Sequence, residues 1–394
     1  MRLLLVDLHS NACMAKLPSR LKFLDVECFA FGENETLLMK SGLIKQKYGA
    51  KRTNGKMTER SFMSSLIFAI DHCNPDFMVT NDEFIIHSLM KMSANYKSSE
   101  KAHPDPIKKF IKLIDRSFFE DVNDALRPNS LEKAEAAGFP VPQFETIQSS
   151  EALNTSLQTT PRPFFLKESL SIGRQGVLYI EESTKDLWVR SALEAATAPS
   201  PSHPYVAQQP ADGTEMTISF AAYQGRLLGY TVAKPLKTIF KGGPSTVIEG
   251  QYRPQWQKVI SNFVTLTGYN GFGGFDVIDR GKGLPQVIEA NMRLTHTVPC
   301  AHKLGSNLLE LFVSAAKGEM PEDAEAVHKK HKQAFALYPE ELMRDMDSPL
   351  LDELPLDGPW SDPRIIRHMT QYIRNDVRYP SNDLESRFNQ KLRK

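Results

Sequence analysis

Three oxygen-bearing side chains and an arginine fall close together in the sequence. Asp276 lies in the apolar run 275–278, and Glu289, Asn291 and Arg293 follow at alternate positions. Residues two apart on a strand share a face, and a carboxylate within an apolar strand needs a partner. Two carboxylates and an amide oxygen suit Mg²⁺, which binds through substrate phosphates. We therefore predict a magnesium site, with the arginine on the same face to grip a phosphate or a carboxylate.

A lysine and a loop rich in serine and glycine form a second candidate site. Lys167 ends an apolar run, and residues 168–176 contain two serines and two glycines before the next apolar run. Such a loop lets backbone N–H groups approach phosphate oxygens, and the lysine supplies positive charge. The spacing is not that of a P-loop, G-x-x-x-x-G-K-[ST]. Taken alone, the stretch also fits an ordinary hairpin with a surface lysine.

A third stretch, residues 208–215, interrupts a strand pattern with proline. Proline removes a backbone donor and ends regular pairing, so neighbouring backbone groups are free to pair with the edge of a nucleobase. Glu215, at the end of the stretch, can accept hydrogen bonds from ribose hydroxyls. A plain strand–turn–strand connection is the alternative.

Strand and helix patterns alternate over the first hundred residues. The runs 3–6, 26–31 and 77–80 are apolar, and residues 61–72 place apolar side chains at helical spacing. This alternation predicts a parallel, Rossmann-like sheet. The turn after Val6 lacks G-x-G-x-x-G, so the sheet is expected to be a scaffold rather than a redox cofactor site.

The pattern then changes. A helix is expected at 130–137 with Ser130 as its N-cap, and the last seventy residues look polar and mostly helical. Between them the period becomes two, with a hairpin turn at 223–226. Strands are predicted at 164–167, 177–180, 205–209, 216–223, 227–234, 275–278 and 286–290.

Composition excludes several classes of protein. The 394 residues carry 48 Lys and Arg against 47 Asp and Glu, a net charge of +1, which gives no global reason to bind nucleic acid or an anionic membrane. No apolar run approaches the ~18 residues of a membrane span. The four cysteines are scattered, which argues against a zinc site or a disulfide framework. We expect a cytoplasmic enzyme.

The order and spacing of these features resemble the ATP-grasp superfamily, of the carboxylate–amine or carboxylate–thiol ligase type, over roughly residues 1–320. The resemblance implies an α/β fold, in which an N-terminal parallel-sheet Rossmann-like domain (1–105) precedes a two-lobed ATP-grasp domain (106–320). Within the latter, residues 143–205 would be a small lid and residues 206–320 the larger subdomain. The resemblance does not extend to residues 321–394, which are expected from their sequence pattern to be a mostly helical C-terminal extension.

The resemblance also implies roles for single residues. Gln208 stands where an acid is usual, but an amide can still present an acceptor to the adenine amino group. Three lysines are expected on the strand and loop that face the nucleotide-binding space: Lys234, Lys237 and Lys241. Of these, Lys241 is taken as the γ-phosphate contact. Arg293 is taken as the second catalytic residue. The implied metal ligands are Asp276, Glu289 and Asn291, and the implied nucleotide-binding residues are Arg127, Lys167, Ser169, Gly173, Gly176, Gln208, Gln209, Ala211 and Glu215.

The implied activity uses ATP and Mg²⁺, with Mn²⁺ as a substitute. A carboxylate would be activated as an acyl phosphate and joined to an amine or a similar nucleophile, with release of ADP and phosphate. The implied partners are small-molecule substrates, without nucleic acid or membrane, and a homodimer is compatible with the resemblance. Two alternatives stay open: a phosphotransferase of the same fold, and a non-catalytic nucleotide-binding protein.

Overall fold

The computed structural model describes residues 1–52, 57–99, 102–170, 176–185, 188–189, 193, 196–240, 242–321 and 323–374. Three β-sheets organise them, and each has its own sequence of strands. Among these residues no helix has both the length and the apolar character needed to cross a membrane.

The first sheet is parallel, in the order β3-β2-β1-β4. Its central strand is buried on both faces, as expected for a sheet covered by helices on two sides. The predicted Rossmann-like architecture is therefore confirmed. Its strands are β1 (Arg2–Asp7), β2 (Glu27–Gly32), β3 (Gln46–Gly49) and β4 (Phe77–Thr80), and its helices are α1 (Ala12–Leu21), α2 (Leu37–Lys40), α3 (Glu59–Cys73) and α4 (Glu83–Lys97).

A small antiparallel sheet follows, in the order β5-β8-β6-β7. It packs an apolar core of its own, which includes Ile147, Phe164 and Ile180. The helices of this part of the chain are α5 (Asp105–Ser117), α6 (Arg127–Ala136) and α7 (Ser150–Thr159), and the strands are β5 (Phe144–Ile147), β6 (Phe164–Glu168), β7 (Val177–Ile180) and β8 (Tyr205–Gln208).

The third sheet has seven strands in the order β13-β12-β9-β10-β11-β14-β15. The predicted hairpin turn joins β9 to β10, and Gln224 and Gly225 both have positive φ, at 51° and 70°. The strands are β9 (Thr214–Tyr223), β10 (Arg226–Thr238), β11 (Ser245–Gln251), β12 (Gly271–Asp279), β13 (Gln286–Asn291), β14 (Ala334–Leu337) and β15 (Leu356–Asp357), flanked by helices α8 (Gln257–Thr267) and α9 (Leu308–Ala316).

The chain after α9 returns to the first sheet. It adds β14 and β15 to the edge of the third sheet and then forms α10 (Glu340–Arg344), α11 (Leu350–Glu353) and α12 (Pro363–Arg374). The buried Lys16 of α1 pairs with Glu340 at 3.2 Å, and Arg20 pairs with Asp357 at 2.7 Å. These contacts fix the first and third sheets relative to each other.

Helix α6 begins earlier than expected. The sequence predicted Ser130 as its N-cap, but the helix starts at Arg127 and Ser130 lies inside it, where its hydroxyl donates to the carbonyl of Arg127. Pro128 explains the difference, because proline is tolerated in the first turn of a helix, where N–H groups have no helical acceptor. The earlier start makes Arg127 the first residue of the helix.

Asp124 lies in the short turn before α6 and is almost fully buried. Its side chain is 1% exposed, and neither carboxylate oxygen has a hydrogen-bond partner among the described residues. Lys133 Nζ stays 4.0 Å from Oδ2. Burial raises the pKa of Asp124 to about 7, and Lys133 offsets this only in part.

We expect Asp124 to make stability depend on pH. Because its pKa in the folded protein lies above the ordinary 3.8, the folded state binds more protons between pH 3.8 and about 7, and the free energy of unfolding falls as pH rises through that range. Asp124→Asn should raise the free energy of unfolding at pH 8 by roughly 2 to 4 kcal/mol and change it little at pH 4. Urea unfolding at both pH values measures this. An equal effect at the two would contradict the assignment.

Candidate active site

Strands β12 and β13 bring the two predicted acids face to face. Asp276 and Glu289 are direct partners in the antiparallel ladder. The ladder shifts by one residue immediately beyond them, because Val277 pairs with Val287 and Ile288 is the extra residue of a β-bulge. The bulge takes the Ile288 carbonyl out of the ladder, and Ile288 and Glu289 both line the cavity beside this strand.

Asp276 is held by two hydrogen bonds. Thr217 of β9 donates to Oδ1 and the Asn291 amide donates to Oδ2, each at 3.1 Å. Burial, and secondly the charge of Glu289, raise the pKa of Asp276 to about 6. A carboxylate whose charged form is disfavoured in this way is a favourable place for a cation.

The pKa of Glu289 shifts in the opposite direction, below its ordinary value. Burial alone would raise its pKa, but the charges of Arg127 and Lys167 outweigh burial and lower it. Arg127 Nη1 lies 3.0 Å from Glu289 Oε1, and the arginine side chain is 6% exposed. The early start of α6 thus places a buried arginine against the acid of β13.

Arg293 joins this acid pair to the first sheet. Its Nη2 donates to Asn291 Oδ1 at 2.9 Å, and its Nε donates to Glu83 Oε2 at 3.2 Å. Glu83 is the first residue of α4, and its other oxygen accepts from the backbone N–H of Met292 at 3.0 Å. The pKa of Glu83 is raised by burial, although Arg293 acts against this. Glu83, at the start of the helix that follows β4, therefore orients the arginine.

Lys167 connects the small sheet with the bulge. Its Nζ donates to Gln208 Oε1 at 2.6 Å and to the carbonyl of Ile288 at 2.9 Å. The lysine side chain is buried, and its charge reaches Glu289. One side chain of the small sheet thus lies between the end of β8 and the strand that carries the acids.

These side chains surround a cavity of about 340 Å³ between the small and the seven-stranded sheets. Phe165, Val177, Ile278 and Ile288 give it apolar walls, and the 242–245 loop closes one side. Ten of the residues singled out in the sequence line it: Arg127, Lys167, Gln208, Gln209, Ala211, Glu215, Asp276, Glu289, Asn291 and Arg293.

Four further candidates do not line the described cavity. Ser169 is fully buried nearby, and its hydroxyl has no hydrogen-bond partner among the described residues. Gly176 precedes β7 with a φ of 80°. Gly173 and Lys241 lie outside the described residues.

Two residues that support the site, Thr217 and Glu83, had no role suggested by the sequence. Thr217 follows Glu215 by two positions on β9, so strand alternation was an available signal. For His296 the sequence left a substrate contact and a histidine bonded to the backbone both open. The structure places it in the cavity lining with a buried Nε2 that has no partner among the described residues, and burial lowers its pKa to about 4. Glu83 is 210 residues from Arg293 in sequence, and no local pattern links them.

The donor set fits a divalent cation. Asp276 and Glu289 offer hard oxygen ligands at opposed positions, and a cation between them would relieve their mutual repulsion. The Asn291 oxygen accepts a hydrogen bond from Arg293, so it would exchange this partner to join the metal.

Solved structures resemble this chain over most of its length. The biotin carboxylase domain of 2-oxoglutarate carboxylase from Hydrogenobacter thermophilus, solved with MgADP and bicarbonate, is 13% identical with a TM-score of 0.61, over 85% of this chain and 74% of that one. L-amino acid ligase from Bacillus licheniformis is 14% identical with a TM-score of 0.56, over 86% of this chain and 80% of that one. N5-carboxyaminoimidazole synthetase from Staphylococcus aureus, solved with ADP, is 11% identical with a TM-score of 0.59, over 86% of this chain and 83% of that one.

No protein-family model matches the sequence, and no curated protein matches it. The likeness therefore lies in the three-dimensional arrangement, which in this chain combines a parallel first sheet with a cavity between the two later sheets. Together with the structural neighbours, these features identify the chain as a protein of the ATP-grasp fold.

Proposed function

We propose that this chain is an ATP- and Mg²⁺-dependent ligase, which activates a carboxylate as an acyl phosphate and joins it to an amine or a similar nucleophile. The cavity in which Asp276 and Glu289 face each other, with Arg127, Lys167 and Arg293 around them, carries the proposal. The fold of the chain also supports the proposal, because the similar structures include an L-amino acid ligase and complexes with ADP.

The proposed reaction has two steps. An oxygen of the substrate carboxylate attacks the γ-phosphorus of ATP, and the bond from that phosphorus to the bridging oxygen breaks, releasing ADP. The amine then attacks the acyl carbon, loses a proton, and phosphate leaves with the C–O bond electrons. The first step depends mainly on positioning and on neutralising charge.

Each group around the cavity has a place in this scheme. Asp276, Glu289 and Asn291 would hold Mg²⁺, which neutralises charge on the transferred phosphoryl group when bound. Lys167 and Arg127 would hold the nucleotide phosphates, and Arg293 would stabilise the acyl phosphate. Lys241 stays a proposal for the γ-phosphate contact.

Each proposed domain would have a separate role in the reaction. Residues 143–205 would form a lid that excludes water, because an acyl phosphate otherwise hydrolyses. The subdomain 206–320 would carry the metal-binding strands. The domain 1–105 would frame the site for the carboxylate and the amine, since its Glu83 pairs with Arg293.

A screen for ADP release across pairs of amino acids and amines, with Mg²⁺ present, tests the proposal. We expect ADP and a condensed product in equal amounts only when both substrates are present. Hydroxylamine should trap the acyl phosphate as a hydroxamate when the amine is omitted. A stable phosphorylated product would instead identify a phosphotransferase, and nucleotide binding without turnover would identify a non-catalytic protein.

A further inference from the structure

Gln208 lines the cavity and carries a buried hydrogen-bond donor. Its side chain is 1% exposed, and its Nε2 has no hydrogen-bond partner among the described residues. Its Oε1 accepts from Lys167 Nζ at 2.6 Å. A lysine ammonium can only donate, so the amide oxygen must face Lys167 and the NH₂ group must face away from it.

The surroundings of this donor suit a flat ring. Phe165 is the strand partner of Gln208 in the small sheet, and Val177 is the partner of Lys167. Ile278 and Ile288 of the seven-stranded sheet line the same cavity. A nucleobase between these apolar side chains would present its polar edge to Gln208, and an acceptor on that edge would recover the free energy that an unpaired buried donor costs.

Purines differ at this edge. Guanine presents two acceptors, N7 and O6, whereas adenine presents the acceptor N7 beside the 6-amino donor. We propose that Gln208 donates to the base, so that the site binds guanine nucleotides at least as well as adenine nucleotides. This inference rests on the nucleotide site of the proposed function, and it replaces the expectation that Gln208 presents an acceptor to adenine.

An exposed glutamine beside the small sheet gives a matched control: Gln148 directly follows β5 and does not line the described cavity. Gln209, adjacent to Gln208, also lines the cavity, but its Nε2 donates to the carbonyl of Pro161 at 2.9 Å. Its backbone N–H is used as well, donating to the carbonyl of Gln143 at 2.9 Å. Its amide is therefore occupied within the protein, and Gln208 is the better placed of the two glutamines to donate to a base.

Calorimetric titration of the full chain with MgADP and MgGDP tests the proposal. For the wild type, we expect GDP to bind as tightly as ADP or more tightly. Gln208→Glu replaces the donor by a carboxylate that only accepts, so it should shift the ratio of the two dissociation constants by at least about tenfold in favour of ADP. Gln148→Glu should leave that ratio within about twofold of the wild type.

Gln208→Leu removes the donor without adding charge, and it should weaken GDP more than ADP. A wild type that prefers ADP by tenfold or more would overturn the inference and leave the proposed ligase intact. If both Gln208 variants keep the wild-type ratio of the ADP and GDP dissociation constants, the inference is likewise overturned and the proposed ligase stays intact. A protein that binds both nucleotides with the expected ratio but forms no hydroxamate would keep this inference and lose the proposed function.

Discussion

Glu289→Gln is expected to lower ADP formation by at least about a hundredfold once an active substrate pair is known. Glutamine keeps the size of the side chain but removes one of the two facing carboxylates, so the proposed metal site loses half of its negative charge. The loss of the charged partner of Arg127 should also lower the free energy of unfolding by about 1 to 2 kcal/mol. Steady-state ADP release and urea unfolding measure the two effects.

Glu249→Gln is the matched control, because Glu249 is a partly exposed acid of β11 in the same sheet and does not line the described cavity. Its ADP release should stay within about twofold of the wild type. Raised Mg²⁺ should restore part of the activity of Glu289→Gln if the variant binds the metal weakly. Equal turnover by the wild type and Glu289→Gln would remove the proposed metal site.

Lys167→Met is expected to weaken ATP binding by at least about tenfold, which corresponds to ~1.4 kcal/mol for one charged contact. The same change removes the hydrogen bonds from Nζ to Gln208 and to the Ile288 carbonyl. We therefore expect backbone amides of β6 and β8 to exchange hydrogen faster in the variant without nucleotide. Calorimetry and hydrogen exchange measure these two results.

Lys185→Met provides the comparison for this change. Lys185 is an exposed lysine of the chain between β7 and β8 and contacts the ring of Trp188. The ATP affinity of Lys185→Met should therefore equal that of the wild type. If Lys167→Met binds ATP as the wild type does, then Lys167 does not contact the phosphates and the assignment fails.

The sequence was sufficient to predict most of the strands and the residues on them. Alternation or runs of apolar residues mark β1, β4, β9, β12 and β13, because burial on one or two faces leaves a direct trace in residue type. The facing acids could be predicted for the same reason. Their position on apolar strands already required a partner for each charge.

Other features depend on contacts that no local pattern records. Arg127 meets Glu289, and Glu83 meets Arg293, only after the sheets have packed together. The bulge is equally hidden, since Ile288 looks like any apolar strand residue. The direction of the Gln208 amide also follows from the fold, because it is set by Lys167 on a neighbouring strand.

The extra residue at Ile288 makes β13 sensitive to changes in chain length. Strand pairing fixes Glu289 opposite Asp276, so insertions or deletions in the exposed loop 280–283 leave both acids in place. One residue lost or gained within Gln286–Asn291 would either remove the carbonyl that holds Lys167 or turn Glu289 to the other face of the sheet. Length variation that preserves the site is therefore confined to the turn, and the strand must keep its number of residues.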